Sequence, residues 1–134
     1  MSSVIADTHT IIWYLSNNEK LSATAGTALS ASIAQGDNIF VSAISLIEIT
    51  YLIEKGRLAN EAITSLKAAI QDPAIGIELI PIDIEIATAI AQIDRDTVSD
   101  MPDRIIAATA LTLDLPLVTR DGKIQKALNI KTIW

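Results

Sequence analysis

The sequence predicts a three-layer α/β/α fold, a short-stranded parallel sheet with helices on both faces. Three observations carry this. Short apolar runs alternate with longer helical stretches, the signature of strands joined by helical crossovers. Those runs are apolar throughout instead of alternating with polar residues, as expected of strands covered on both sides. Half the residues (50%) are hydrophobic and only 19% are charged, so 134 residues carry enough apolar surface for a sizeable core and too little charge for disorder.

The elements follow in order. Val4 to Ala6 reads as a buried strand ending at Asp7. Thr8 to about Ser16 reads as a helix with Ile11, Ile12 and Leu15 on one face. Ser22 can cap a second helix running to about Gln35, ended by Gly36. Ile39 to Val41 is a second strand. Ser42 or Ser45 then caps a strongly apolar helix to Lys55, stopped by Gly56. Asn60 caps a helix to about Gln71, and Asp72-Pro73 breaks the chain. Ile77 to Ile82 is a third strand, and Asp83 caps a helix from Ile84 to about Arg95. A loop from Asp96 leads to a helix beginning at Pro102 or Asp103 and running to Leu113. Leu117 to Thr119 is a fourth strand. A helical turn near Ile124 to Leu128 and a strand from Thr132 to Trp134 complete one expected domain over residues 1–134.

Composition narrows the chemistry. With no cysteine there is no disulfide framework, no thiolate zinc site and no cysteine nucleophile. The opening residues lack a charged stretch followed by a long apolar one, and no run approaches the ~18 residues of a membrane span, so a soluble cytoplasmic protein with no membrane association is expected. The net charge of -6 argues against broad electrostatic binding of nucleic acid. Basic residues are scattered, apart from a cluster at Arg120, Lys123 and Lys126. The mean hydropathy of +0.40 is high for so small a domain and implies apolar surface covered by a partner.

Four acids stand in apolar or turn surroundings: Asp7 in V-I-A-D-T-H, Glu48 in S-L-I-E-I-T-Y, Asp103 in D-M-P-D-R-I-I-A-A-T-A, and Asp121 in P-L-V-T-R-D-G. Open parallel sheets bind ligands beyond the carboxyl ends of their strands. Asp7 and Asp121 fall just after strands, and Glu48 and Asp103 lie in the first turns of helices that begin at the same edge. The fold thus places all four on one rim. Carboxylates about 4 Å apart repel by roughly 4 kcal/mol per pair at an effective dielectric near 20. A hard divalent cation such as Mg2+ or Mn2+, which prefers oxygen ligands, removes that penalty.

Each acid also has a simpler role open to it. Asp7 can cap the following helix, Asp100 and Asp103 resemble a capping arrangement, and Asp121-Gly122 is a common turn pair. Glu48 is hardest to explain this way. Its helical neighbours are Ile44, Ser45, Tyr51 and Leu52, and an unpaired carboxylate among apolar groups is costly. The lone histidine, His9, lies near Asp7, where either proton transfer or a surface position is open to it. The hydroxyls of Thr8, Ser42, Ser45 and Thr119 flank the rim and can bond a ligand or cap helices. Trp13 and Tyr14 can stack on a base or pack in the core.

At these residues the sequence resembles the PIN-domain family, and within it the VapC-type toxins of toxin–antitoxin systems. The resemblance covers nearly the whole chain, from the Asp7 segment through V-S-A-I-S-L-I-E-I, G-R-L, D-M-P-D-R-I-I-A-A-T-A and L-V-T-R-D to the ending Thr132 to Trp134. It implies a metal-dependent endoribonuclease in which Asp7, Glu48, Asp103 and Asp121 hold Mg2+ or Mn2+, and water activated there cuts an RNA phosphodiester. Asp100 matches a frequent extra acid of the subgroup. The resemblance further implies a single-stranded or looped RNA substrate, a homodimer and inhibition by a VapB-type antitoxin. Two other readings compete. One is a non-catalytic module that keeps the fold, against which the complete quartet argues. The other is an aspartyl-phosphate enzyme built on Asp7, which would need a second Asp where His9 stands and room for a lid domain.

Overall fold

A computed structural model describes residues 3–134; Met1 and Ser2 of the expected domain lie outside the described residues. Five strands, β1 (Val4–Ala6), β2 (Ile39–Ser42), β3 (Ile77–Ile80), β4 (Leu117–Val118) and β5 (Thr132–Ile133), form one sheet. Its order is β3-β2-β1-β4-β5 and every pairing is parallel. The helices are α1 (Thr8–Leu15), α2 (Ala23–Ala34), α3 (Ala43–Glu54), α4 (Glu61–Gln71), α5 (Ile84–Ala89), α6 (Met101–Leu113) and α7 (Gly122–Gln125). The α/β/α fold read from the sequence is the fold observed.

Neighbouring strand residues point to opposite faces of the sheet, so the central strands feed two cores. Val4, Ala6 and Val118 pack with Ile11, Leu29, Ile49 and Leu66 on one side. Ile5 and Leu117 pack with Ile86, Ile106 and Ile124 on the other. The helix α6 is buried on every side from Ile105 to Ala110, and its small residues let it lie close to the sheet. Among the described residues no helix is long and apolar enough to cross a membrane.

Several boundaries differ from expectation for identifiable reasons. The third strand stops at Ile80, because Pro81 has no N–H to offer the ladder. The helix starting at Ile84 ends as an α-helix at Ala89 and closes with a single 3-10 turn, Ile90–Gln92. The Arg104 guanidinium donates to the carbonyls of Ile90 (3.1 Å) and Ile93 (3.0 Å), satisfying groups that a longer helix would have used itself. Asn60 does not cap α4; it has helical dihedrals and its side chain makes no cap bond. The last helical turn starts at Gly122 instead of Ile124, because Asp121 caps it. The helix carrying Asp103 starts at Met101, one residue early, capped by Asp100. Gly36 and Gly56 end α2 and α3 with φ of 80° and 72°, a conformation that glycine adopts without strain.

The chain runs outward from β1 through β2 to β3, then returns to add β4 and β5 on the other side. Strand order therefore reverses between β1 and β4. A crevice opens at such a point beyond the carboxyl ends of the strands.

Candidate active site

Asp7 follows β1 directly and Asp121 lies three residues beyond the end of β4, one on each side of that crevice. Asp7 is the N-cap of α1, and its Oδ1 accepts from the Thr10 amide at 3.0 Å. Its Oδ2 accepts a short hydrogen bond from the hydroxyl of Thr119, a fully buried residue. The same Thr119 oxygen accepts from the Asp121 amide at 3.0 Å. One hydroxyl thus ties both acids together. Asp121 in turn caps α7, with its Oδ1 accepting from the amides of Lys123 (2.8 Å) and Ile124 (3.1 Å).

Glu48 is half-buried on α3. The Thr8 hydroxyl donates to its Oε1 at 2.5 Å. Having one proton, Thr8 must accept from Ser45, whose Oγ is 2.8 Å away and fully buried. The relay Ser45 to Thr8 to Glu48 holds the carboxylate against the start of α1. Burial pushes the Glu48 carboxyl above its ordinary value, opposed by the Thr8 hydrogen bond and reinforced by Asp100 and Asp7.

Asp103 sits in the first turn of α6, and Asp100 caps that helix with its Oδ2 accepting from the Asp103 amide at 3.3 Å. Burial first, then the charges of Asp121, Asp100, Glu48 and Asp7, push the Asp103 carboxyl up to about 7. Every other acid singled out in the sequence therefore acts on this one group.

These five acids line one open cleft of about 760 Å3. Thr8, His9, Ser99 and Gly122 share it, together with the basic side chains Arg120, Lys123 and Lys126. The hydroxyls of Thr8 and Thr119 are engaged with carboxylates, a positioning role that only the tertiary pairing reveals. Ser42 caps α3 by accepting from the Ile44 amide at 3.2 Å. His9 is exposed on the cleft wall with its ring 5.6 Å from that of Trp13, and Tyr14 packs against the core. Arg104, absent from the sequence reading, ties α6 to the 3-10 turn that closes the preceding helix.

The donor set is carboxylate and hydroxyl oxygen, with one imidazole nearby, which suits a hard divalent cation. Among the described residues no three of these side chains close on a point as a finished metal cage. An open oxygen rim is compatible with Mg2+, which keeps several of its waters.

The same fold recurs in solved structures. VapBC2 from Rickettsia felis bound to a promoter DNA fragment superimposes with a TM-score of 0.71 at 17% identity, covering 98% of this chain and 97% of the other. DNA-bound VapBC from Salmonella typhimurium gives 0.66 at 20% identity, with 98% and 97% covered. In sequence, ribonuclease VapC22 of Mycobacterium tuberculosis is 26% identical over 136 residues, spanning 100% of both chains. The PIN domain family model matches residues 4–128, and the chain belongs to that family.

Proposed function

We propose that this chain is a divalent-metal-dependent endoribonuclease that hydrolyses RNA phosphodiester bonds, the toxin of a VapBC-type pair acting in the cytoplasm. The observation that carries the reading is the convergence of five acids on one cleft, with the Asp103 carboxyl raised by burial and by all four of the others. Such a group favours either a proton or a nearby cation. Asp7, Glu48, Asp103 and Asp121 would hold Mg2+ or Mn2+, with Asp100 at the edge. When bound, the ion supplies Lewis-acid polarisation of a phosphate and lowers the pKa of water. Thr119 and Thr8 keep Asp7 and Glu48 oriented, so little reorganisation is needed on binding.

The likeness to a protein named as a ribonuclease supports RNA as substrate, and the VapBC complexes among the structural neighbours support a VapB-type antitoxin as partner. A basic residue of that antitoxin, laid into the cleft, would pair with the carboxylates and compete with metal and RNA. The exposed face of α3 suits a homodimer. Cleavage of single-stranded RNA with Mn2+, abolished by EDTA, is the expected result. A purified, folded chain that binds its partner but cuts no RNA with either metal would point to the non-catalytic module.

A further inference from the structure

We propose that Arg120, seated on the indole of Trp13, takes an RNA phosphate beside the acidic centre, and that Lys123 and Lys126 extend this rim along the backbone. The inference rests on the RNA-cleaving reading and adds the part of the site that grips the substrate.

A chain of net charge -6 needs some device to bring a polyanion against five carboxylates. Residues 120–126 supply it: Arg120, Lys123 and Lys126 are the arginine and lysine side chains that line the acidic cleft. Backbone connectivity fixes where they stand. Arg120 lies between Thr119, which is bonded to Asp7, and Asp121, which caps α7. It is therefore one residue from both halves of the acidic centre.

An arginine so placed would ordinarily fold onto the carboxylates and neutralise them. Instead its Cζ lies 5.6 Å from the centre of the Trp13 ring. Among the described residues neither Arg120 nor the two lysines forms an ion pair. The cation–π contact holds the guanidinium off the acids. Trp13 is itself held, with Trp134 edge-on at 6.0 Å and His9 at 5.6 Å. It lines the adjoining apolar groove instead of the acidic cleft, so it backs Arg120 from behind. The result is a planar cation, preorganised at the wall of the cleft, with donors free for an anion. Beyond it, Lys123 and Lys126 also line a second recess of about 340 Å3 with Thr97, Ser99 and one carboxylate, Asp96, so the two lysines outnumber the acid where a phosphate backbone would continue.

The test compares the full chain with Arg120→Ala, Lys123→Ala and Trp13→Leu. Binding of a fluorescent single-stranded oligothymidylate with Mg2+ present reads the backbone grip across a salt series, and cleavage of oligouridylate reads KM and kcat. Arg120→Ala should weaken binding by about tenfold. It should also lower the slope of log affinity against log salt by about one. KM should rise while kcat stays close to the parent's. Lys123→Ala should do the same more weakly. Trp13→Leu should reproduce part of the Arg120 loss and add little to it in the double variant, whereas Trp13→Phe should restore the salt slope. Unchanged binding and KM in folded Arg120→Ala, while the parent still cuts RNA, overturns the rim and leaves the ribonuclease reading standing. A parent that binds the oligonucleotide through Arg120 but cuts nothing supports the rim and sinks the nuclease. An Arg120-dependent affinity for an acidic peptide alone, with none for oligonucleotide, overturns the rim as a substrate site.

Discussion

The hydroxyl of Thr119 donates to the carboxylate of Asp7 across the point where the strand order of the sheet reverses. The two residues are 112 positions apart, and the bond joins the ends of β1 and β4. Because Thr119 also accepts from the Asp121 amide, one buried side chain sets the orientation of two acids. The parallel pairing of Ala6 with Val118 brings the residues after each strand side by side, so the acidic centre is a direct product of sheet register.

Replacing Thr119 with Val keeps the shape and removes both bonds. It leaves the Asp121 amide and one Asp7 oxygen without their partner. Thermal or denaturant unfolding should show a loss of roughly 1–3 kcal/mol. Metal affinity and cleavage should fall as well, and Thr119→Ser should recover most of both. A Val variant with parental metal affinity would show that Asp7 needs no such support.

Stability without metal should fall as pH rises. The folded Asp103 carboxyl is raised from 3.8 to about 7, and Glu48 is raised too, so the folded state holds protons that the unfolded state has released. Their contribution is fully present below the unfolded value and is lost through the window from 3.8 to about 7. In EDTA the melting temperature should therefore decline across that window. Mg2+ or Mn2+ should raise it little near the acid end and clearly above about pH 8, where metal no longer competes with protons. A metal effect of equal size at both ends would count against binding at these carboxylates.

Glu48→Gln and Asp103→Asn test the acids singly. Each replacement is close in shape, and in Glu48→Gln the new amide oxygen can still accept from Thr8. Both variants should stay folded and lose RNA cleavage. Removing the charge at Asp103 should also stabilise the metal-free protein near neutral pH, on the order of 1–3 kcal/mol. Near-parental cleavage by either purified variant takes that residue out of the active set.

The layers and the order of the elements were legible because local signals agreed with the global fold. Apolar strands, the caps Ser22 and Asp83, and Gly36 and Gly56 at helix ends each act within a few residues. The placement of the acids at one edge was legible for the same reason, since strand ends and helix starts share that rim. The half-buried position of Glu48 follows from its apolar helical neighbours. The relay from Ser45 through Thr8 was not legible, nor was the double role of Thr119, because each spans a tertiary pairing no local pattern records. The role of Arg104 was not legible either, because its partners are backbone carbonyls, which carry no sequence signature.

Self-association should run through the outer face of α3. Within α3, Ile44 and Ile49 are buried in the cores, whereas Ile47 is 50% exposed and Tyr51 60% exposed, one helical turn apart on the same face. Fully burying one such side chain contributes at most roughly 1.5–3 kcal/mol. A twofold axis brings the same pair from each copy and doubles the gain. Light scattering should report a dimer at micromolar concentration, and Ile47→Asp with Tyr51→Asp should give a folded monomer. The parent chain staying monomeric at high micromolar concentration would refute the dimer. A double variant that is still dimeric would move the interface away from α3.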